Sequence, residues 1–358
     1  MTEGRLQRLR AILAQEGVPA LLVGSPYNRR YLTGFWGTAG YVLITADRQL
    51  LLVDFRYVEQ AKEQAPAFEV RRFDRFGETL KQVLAELNLR EVGFEKAHVT
   101  YQQLEALQAA AEGVAWKPVG PVVERLRAVK EPEELARIQE ACRLADAAFE
   151  RILQVLRPGI TEREVALELE FFMRRQGADG VSFDPIVAAG PRGALPHARP
   201  TDAVLQAGQL VVLDFGCIVD GYCSDITRTV VIGKADGRAR EIYELVLRSQ
   251  EAALQAVKAG ADQVAVDQAA RAVIEAAGYG DQFGHGLGHG VGLEVHEDPP
   301  RLNRTAPSQP LEAGMVHSVE PGVYLPGWGG VRIEDLVQVT EDGCRILTQS
   351  SKELLEIG

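Results

Sequence analysis

Acidic residues stand inside apolar, β-branched runs of this chain, and that placement restricts the fold more than any other feature. Residues 210–216 (LVVLDFG) carry Asp214, and residues 222–232 (YCSDITRTVVI) carry Asp225. Runs of this kind form strands, and Val219-Asp220-Gly221 between them reads as a tight hairpin turn. With Val219 and Asp220 as the loop, Asp214 falls opposite Asp225, on one face, with Cβ atoms roughly 5 Å apart. At an effective dielectric of about 20, like charges about 4 Å apart repel by on the order of 4 kcal/mol. Such a pair needs cations or protons; otherwise the two are unrelated hairpin residues.

Three later segments favour cations. Residues 284–292 (GHGLGHGVG) alternate glycine with other residues, so backbone and imidazoles can approach a common centre. The segment is no phosphate loop: it lacks Gly-Lys-Ser/Thr and the Gly-x-Gly-x-x-Gly spacing, and it follows a helix-like stretch instead of a strand. A lone histidine is usually a core or surface residue, but His285, His289 and His296 are half of the six in the chain. Residues 315–320 (MVHSVE) end at Glu320, and in 331–334 (VRIE) Arg332 and Glu334 share a face. Asp214, Asp225, His289, Glu320 and Glu334 together offer four carboxylates and an imidazole. Two divalent cations, about +4, would neutralise them, and oxygen-rich ligation with one imidazole suits Mn, Co, Fe or Zn.

The ordered stretches PHARP (196–200), DFG (214–216), SDITRT (224–229), GHGLGHG (284–290), VHE (295–297), EPG (320–322) and GVRIED (330–335) resemble the pita-bread metallopeptidases. The resemblance is to the proline-specific branch, prolidase (Xaa-Pro dipeptidase) and aminopeptidase P; it runs from about Arg127 to the C-terminus and more weakly over the N-terminal third. It implies an α/β N-terminal domain followed by an α+β pita-bread catalytic domain, an antiparallel sheet with helices outside and metals in its concave face. By it, Asp214, Asp225 and Glu334 would hold one ion, and Asp225, His289, Glu320 and Glu334 the other. Glu320 would carry protons, while His197 and His296 would bind substrate and steady the carbonyl oxygen. His285 is expected in the pocket wall. Arg332 either orients a ligand carboxylate or touches substrate; His98 and His317 are expected to be structural.

Prolidases commonly place an arginine soon after Val-His-Glu, to bind the carboxylate of the departing proline. Here the run is VHEDPPR, one residue longer than the simplest version, with Arg301 the first candidate and Arg304 the second. The expected substrates are Xaa-Pro dipeptides, with aminopeptidase P action on longer peptides as the alternative. A non-catalytic pita-bread binding module is a remote third reading, disfavoured by the intact ligand set. The resemblance also implies a homodimer.

At 358 residues the chain has room for two domains. Helix-like and strand-like stretches alternate to about residue 125, then Glu131-Pro132-Glu133-Glu134 opens a long helix. The expected division is 1–125 and 126–358. Thr161 with Glu164 reads as a capping box, and residues 122–130 read as a connector. A net charge of −11 argues against a nucleic-acid surface. Four cysteines without CxxC spacing point to a reduced setting. The N-terminal 17 residues read as an amphipathic helix and no window matches a membrane span, so a cytoplasmic protein with no membrane partner is expected.

Overall fold

Leucines at positions 6, 9 and 13 fall on one side of a helix, and all three are buried along α1 (Thr2–Gln15). The structure, a computed structural model, describes residues 2–358. Packing separates two units, Met1–Arg127 and Ala128–Gly358.

The first unit is a six-stranded sheet in the order β4-β3-β2-β1-β5-β6. Its strands are β1 (Ala20–Val23), β2 (Tyr41–Thr45), β3 (Gln49–Val53), β4 (Glu69–Arg72), β5 (Glu91–Glu95) and β6 (Ala115–Val119). Only β2 runs against its neighbours. All four residues of β1 are buried, as expected of a central strand with both faces covered. Helices α2 (Pro26–Thr33), α3 (Val58–Gln64), α4 (Phe76–Glu86) and α5 (Tyr101–Ala110) accompany the sheet. Residues expected to be a plain connector form α6 (Val122–Ala128).

The second unit opens with α7 (Pro132–Leu153) and α8 (Glu162–Arg175), each begun by a capping box, Glu131 with Glu134 and Thr161 with Glu164. Six strands follow: β7 (Gly180–Val181), β8 (Ile186–Ala189), β9 (Leu210–Phe215), β10 (Cys217–Val219), β11 (Tyr222–Cys223) and β12 (Ile226–Ile232). After α9 (Gly237–Ala256) and α10 (Gln263–Ala276) come β13 (Gly288–Gly290), β14 (Glu297–Leu302), β15 (Val316–Val319) and β16 (Gly322–Leu325). The chain ends with β17 (Gly329–Arg332), β18 (Asp335–Val339), β19 (Cys344–Ile346) and β20 (Glu356–Ile357). Two larger sheets result, β20-β12-β9-β8 and β14-β13-β15-β18-β19, antiparallel except between β12 and β20.

Helices cover one side of these sheets. Val211, Leu213 and Phe215 of β9, with Ile226, Val230 and Ile232 of β12, share a core with α7 and α8. Val319, Val331, Ile333, Val337 and Val339 share one with α9 and α10. Each fully buried aliphatic side chain contributes roughly 1.5–3 kcal/mol, so these alternating residues fix which way the strands face. Period two then sends Asp214, Thr227, Ser318, Glu320, Arg332 and Glu334 to the opposite side.

The hairpin register differs from the sequence reading by two positions. Val219 pairs with Tyr222, and the loop residues are Asp220 and Gly221, both at positive φ (44° and 77°). That is the Asp-Gly turn whose twist matches a hairpin. Asp214 is therefore opposite Thr227, and Asp225 sits two residues nearer the turn. A shift of two preserves the face, so the acids still look the same way.

Candidate metal centre

One carboxylate oxygen from each of Asp214, Asp225 and Glu334 lies within 4.8 Å of the other two, and all three residues are buried. Burial pushes the proton affinity of Asp225 well up, and the charges of Glu334 and Asp214 add to it. Glu334 is driven the same way by burial and then by Glu320 and Asp214. Glu320, between β15 and β16, is raised chiefly by burial and accepts from Ser318 Oγ at 3.2 Å. Asp214 Oδ1 is buried without a hydrogen-bond partner among the described residues.

His289, in the middle of β13, completes the set. Its Nε2 lies 3.4 Å from Glu320 Oε1 and 3.7 Å from Asp225 Oδ2. Its Nδ1 is 3.1 Å from the Gly290 carbonyl, which can only accept, so Nδ1 carries the proton and the Nε2 lone pair points at the acids. Burial pushes its pKa down, favouring the neutral ring that ligates metals. Crowded carboxylates, an orphaned oxygen and a neutral imidazole aimed among them are a donor set that fits divalent cations.

Arg332 ties this set to its surroundings. Its guanidinium donates to Asp214 Oδ2 at 2.5 Å, Thr227 Oγ1 at 3.1 Å, Tyr324 hydroxyl at 2.7 Å and the Pro196 carbonyl at 3.3 Å. Of the two roles read from sequence, these contacts support orientation of a ligand carboxylate. Thr227 Oγ1 also donates to Glu334 at 2.7 Å. Sequence reasoning missed Thr227, Tyr324 and Ser318 as site residues. Thr227 was within reach, because taking Asp220-Gly221 as the turn places it opposite Asp214; a tyrosine in an ordinary strand gave no signal.

The acids open onto a cavity of about 460 Å³ lined also by His197, His285, His296, Arg301 and Arg332. His285 is a wall residue, its Nε2 2.9 Å from the Tyr324 hydroxyl. The His296 ring stands 4.2 Å from that of His289, and burial with neighbouring imidazoles lowers its pKa to about 4. His317 is fully buried on β15 with its pKa pushed to about 4, and His98 lies in the first unit.

Arg301 pairs directly with His289 in the β13–β14 ladder, past an irregularity that loops out residues 298–300. Directly opposed residues share a face, so the longer spacing after Val-His-Glu is absorbed without turning Arg301 away from the cavity. Arg301 is half exposed, with Asp298 Oδ2 at 3.7 Å. Arg304 does not line this cavity; it borders a separate depression with Glu275 and Asp281.

Residues 136–341 match the model of metallopeptidase family M24, and residues 5–129 match the creatinase/prolidase N-terminal domain. A Xaa-Pro dipeptidase from Bacillus anthracis superposes with a TM-score of 0.96 at 43% identity, over 99% of each chain. The X-Pro aminopeptidase of Thermotoga maritima superposes with a TM-score of 0.89 at 38% identity, covering 95% of this chain and 98% of the other. The Xaa-Pro dipeptidase of Pyrococcus furiosus is 38% identical over 354 residues, 98% of this chain and 99% of its own length.

Proposed function

The chain belongs to metallopeptidase family M24, and on that premise we propose that it is a metal-dependent exopeptidase cleaving Xaa-Pro dipeptides. The observation that carries the reading is full-length likeness to Xaa-Pro dipeptidases, joined to a cavity lined by both the acids and Arg301. A dipeptidase needs a cation for the carboxylate of the departing proline, and a guanidinium suits that task.

Asp214, Asp225, His289, Glu320 and Glu334 would hold two divalent ions, with Mn and Co the first to try, then Zn and Fe. When bound, they supply Lewis acidity and lower the pKa of water. Water adds to the carbonyl carbon of the Xaa residue, the C–N bond to proline breaks, and the proton released by water reaches the prolyl nitrogen through Glu320. His197 and His296 donate to the carbonyl oxygen as its charge develops. Arg332 holds Asp214 in place, His285 forms a wall, and Arg301 receives the C-terminal carboxylate. The amide nitrogen before a proline ring has no hydrogen, so the pocket must fit the ring and offer no acceptor there. A cytoplasmic homodimer is part of the same proposal; among the described residues, no helix is long and apolar enough to cross a membrane.

Likeness to the Thermotoga maritima aminopeptidase favours a second reading, removal of the residue before proline from longer peptides. A panel of Xaa-Pro and Xaa-Pro-Xaa substrates, run with several metals, separates the two. Dipeptides are expected to turn over faster, and activity confined to tripeptides and longer would reject the dipeptidase reading. Glu320→Gln is expected to lower kcat by roughly 10²–10⁴-fold with the fold intact by circular dichroism. Near-normal turnover in that variant removes Glu320 from the proton path.

A further inference from the structure

The two imidazoles assigned to the carbonyl oxygen lie outside the strands, on loop segments that reach the cavity, so the paths of those loops set where the rings stand. Each loop is gathered around a buried carboxylate that belongs to no ligand set. Glu162, at the first turn of α8, is wholly buried. It accepts from Ala189 N at 2.9 Å and Thr201 N at 3.0 Å, the two ends of the segment that carries His197. Thr201 Oγ1 donates to it at 2.8 Å and Arg192 Nε at 2.9 Å, and Arg192 also holds the Arg199 carbonyl at 2.6 Å. One side chain thus ties the loop at both ends and in the middle.

Glu297 does the same for the next segment. Its Oε1 accepts from Leu293 N at 3.0 Å and Glu294 N at 3.4 Å, inside the turn that leads to His296. Its Oε2 receives Lys130 Nζ at 2.9 Å, in an ion pair whose side chains are 1% and 5% exposed. The turn wraps the carboxylate so closely that a Cβ on Gly292 would stand 2.6–2.7 Å from it.

We propose that Glu162 and Glu297 are positioning residues, Glu162 for His197 and Glu297 for His296. Glutamine at either place keeps the shape but turns an amide N–H₂ toward groups that are themselves donors. The loop then loses its shared acceptor. Because the histidines act on a charge that appears only in the transition state, misplacing them lowers kcat more than it raises KM.

This inference rests on the proposed peptidase chemistry, and a crossed double-mutant experiment on metal-loaded enzyme with Ala-Pro tests it. Glu162→Gln is expected to lower kcat roughly 30-fold with KM changed less than about threefold. In a His197→Ala background the same change should lower kcat by less than about threefold, and in His296→Ala by the full roughly 30-fold. Glu297→Gln should show the mirror pattern. Equal losses in both backgrounds, or unchanged kcat in the single variants, overturn the proposal.

Amide hydrogen exchange on metal-free protein provides a second arm that needs no activity. Glu162→Gln should speed exchange in residues 190–201 alone, and Glu297→Gln in 291–297 alone; acceleration spread over both overturns the assignment. If His197→Ala and His296→Ala keep full turnover, the proposed roles of the imidazoles fail, and exchange alone decides the positioning. Should a glutamine variant not fold, Thr201→Val and Gly292→Ala disturb the same two carboxylates and enter the same crossing.

Discussion

Glu95, the last residue of β5 in the N-terminal unit, and Glu334, between β17 and β18 in the C-terminal unit, are 5% and 2% exposed, and burial pushes the proton affinity of each up. Their company differs. Glu95 accepts from Gly24 N at 2.7 Å, Ser25 N at 2.9 Å and Asn28 Nδ2 at 2.6 Å. Glu334 accepts from Thr227 Oγ1 and otherwise faces Asp225, Asp214 and Glu320. An acid ringed by N–H donors braces a fold, whereas acids outnumbering their donors make a site for a cation. Burial alone does not tell the two apart; the donor count does.

The largest expected effect breaks the C-terminal half of that contrast. Glu334→Gln on metal-loaded enzyme should lower kcat by on the order of 10³-fold. The metal-free variant should melt no lower than metal-free wild type, because a repelling charge has gone. Steady-state kinetics and calorimetry with chelator check both. A metal-free Glu334→Gln protein that melts well below wild type would place Glu334 with Glu95, as a brace.

The reverse outcome is expected of Glu95. Glu95→Ala leaves two backbone N–H groups and an amide without their acceptor, which costs about 2–4 kcal/mol. Below the shifted melting range, turnover should stay within about twofold of wild type. Urea unfolding followed by activity measures both quantities. A large kcat loss at full fold would give Glu95 a share in chemistry that its contacts do not suggest.

A third test sharpens the contrast through pH. Asp225, Glu320 and Glu334 have folded pKa values above their ordinary 3.8 and 4.5. The metal-free folded state therefore binds more protons than the unfolded chain between those ordinary values and the raised ones. The contribution of these acids to stability falls as pH climbs through that window, against the rise contributed by His289, His296 and His317, whose folded pKa values are pushed down. Measured against chelated Glu334→Gln, which keeps the same histidines, chelated wild type should lose more stability, or gain less, from pH 5 to pH 7, and added metal should shrink that difference. Identical pH profiles for chelated wild type and chelated Glu334→Gln contradict the repulsion assigned to the cluster.

Apolar periodicity and caps made the α/β alternation of the first unit, the two capped helices α7 and α8, and the strand bearing Asp214 legible in the sequence. The run read as one strand over 222–232 is instead broken at Ser224 and Asp225, between β11 and β12. The five residues proposed as metal ligands were legible too, as acids and a glycine-flanked histidine within or beside apolar runs. Other parts depended on tertiary partners. Pro26–Thr33 begins with Ser25 capping Asn28 N, a short signal with little apolar periodicity behind it. The partners of Arg332, namely Asp214, Thr227 and Tyr324, come from segments far apart in the chain and could not be read from spacing. The reach of Arg301 depended on residues 298–300 looping out of a ladder, which spacing does not reveal. Glu162 looks like an ordinary surface acid in sequence, and Glu297 stands in Val-His-Glu with no sign of what it accepts, because most of their donors lie in loops with no pattern of their own.

The smallest expected effect concerns the turn that set the hairpin register. Gly221 sits at φ 77°, where any Cβ costs roughly 1–2 kcal/mol. Gly221→Ala should thus destabilise the protein by about 1 kcal/mol. Metal affinity should hold, because six residue pairs of the β9–β12 ladder fix Asp214 independently of the tip. The N-terminal unit offers the counterpart, Asn88 at φ 54° just after α4. Asn88→Gly relieves a left-handed non-glycine residue at the price of unfolded-chain entropy, so its net effect should stay within about 0.5 kcal/mol. Calorimetry with a metal titration compares them: if Gly221→Ala weakens metal binding about tenfold, the register of the whole hairpin depends on its two-residue loop.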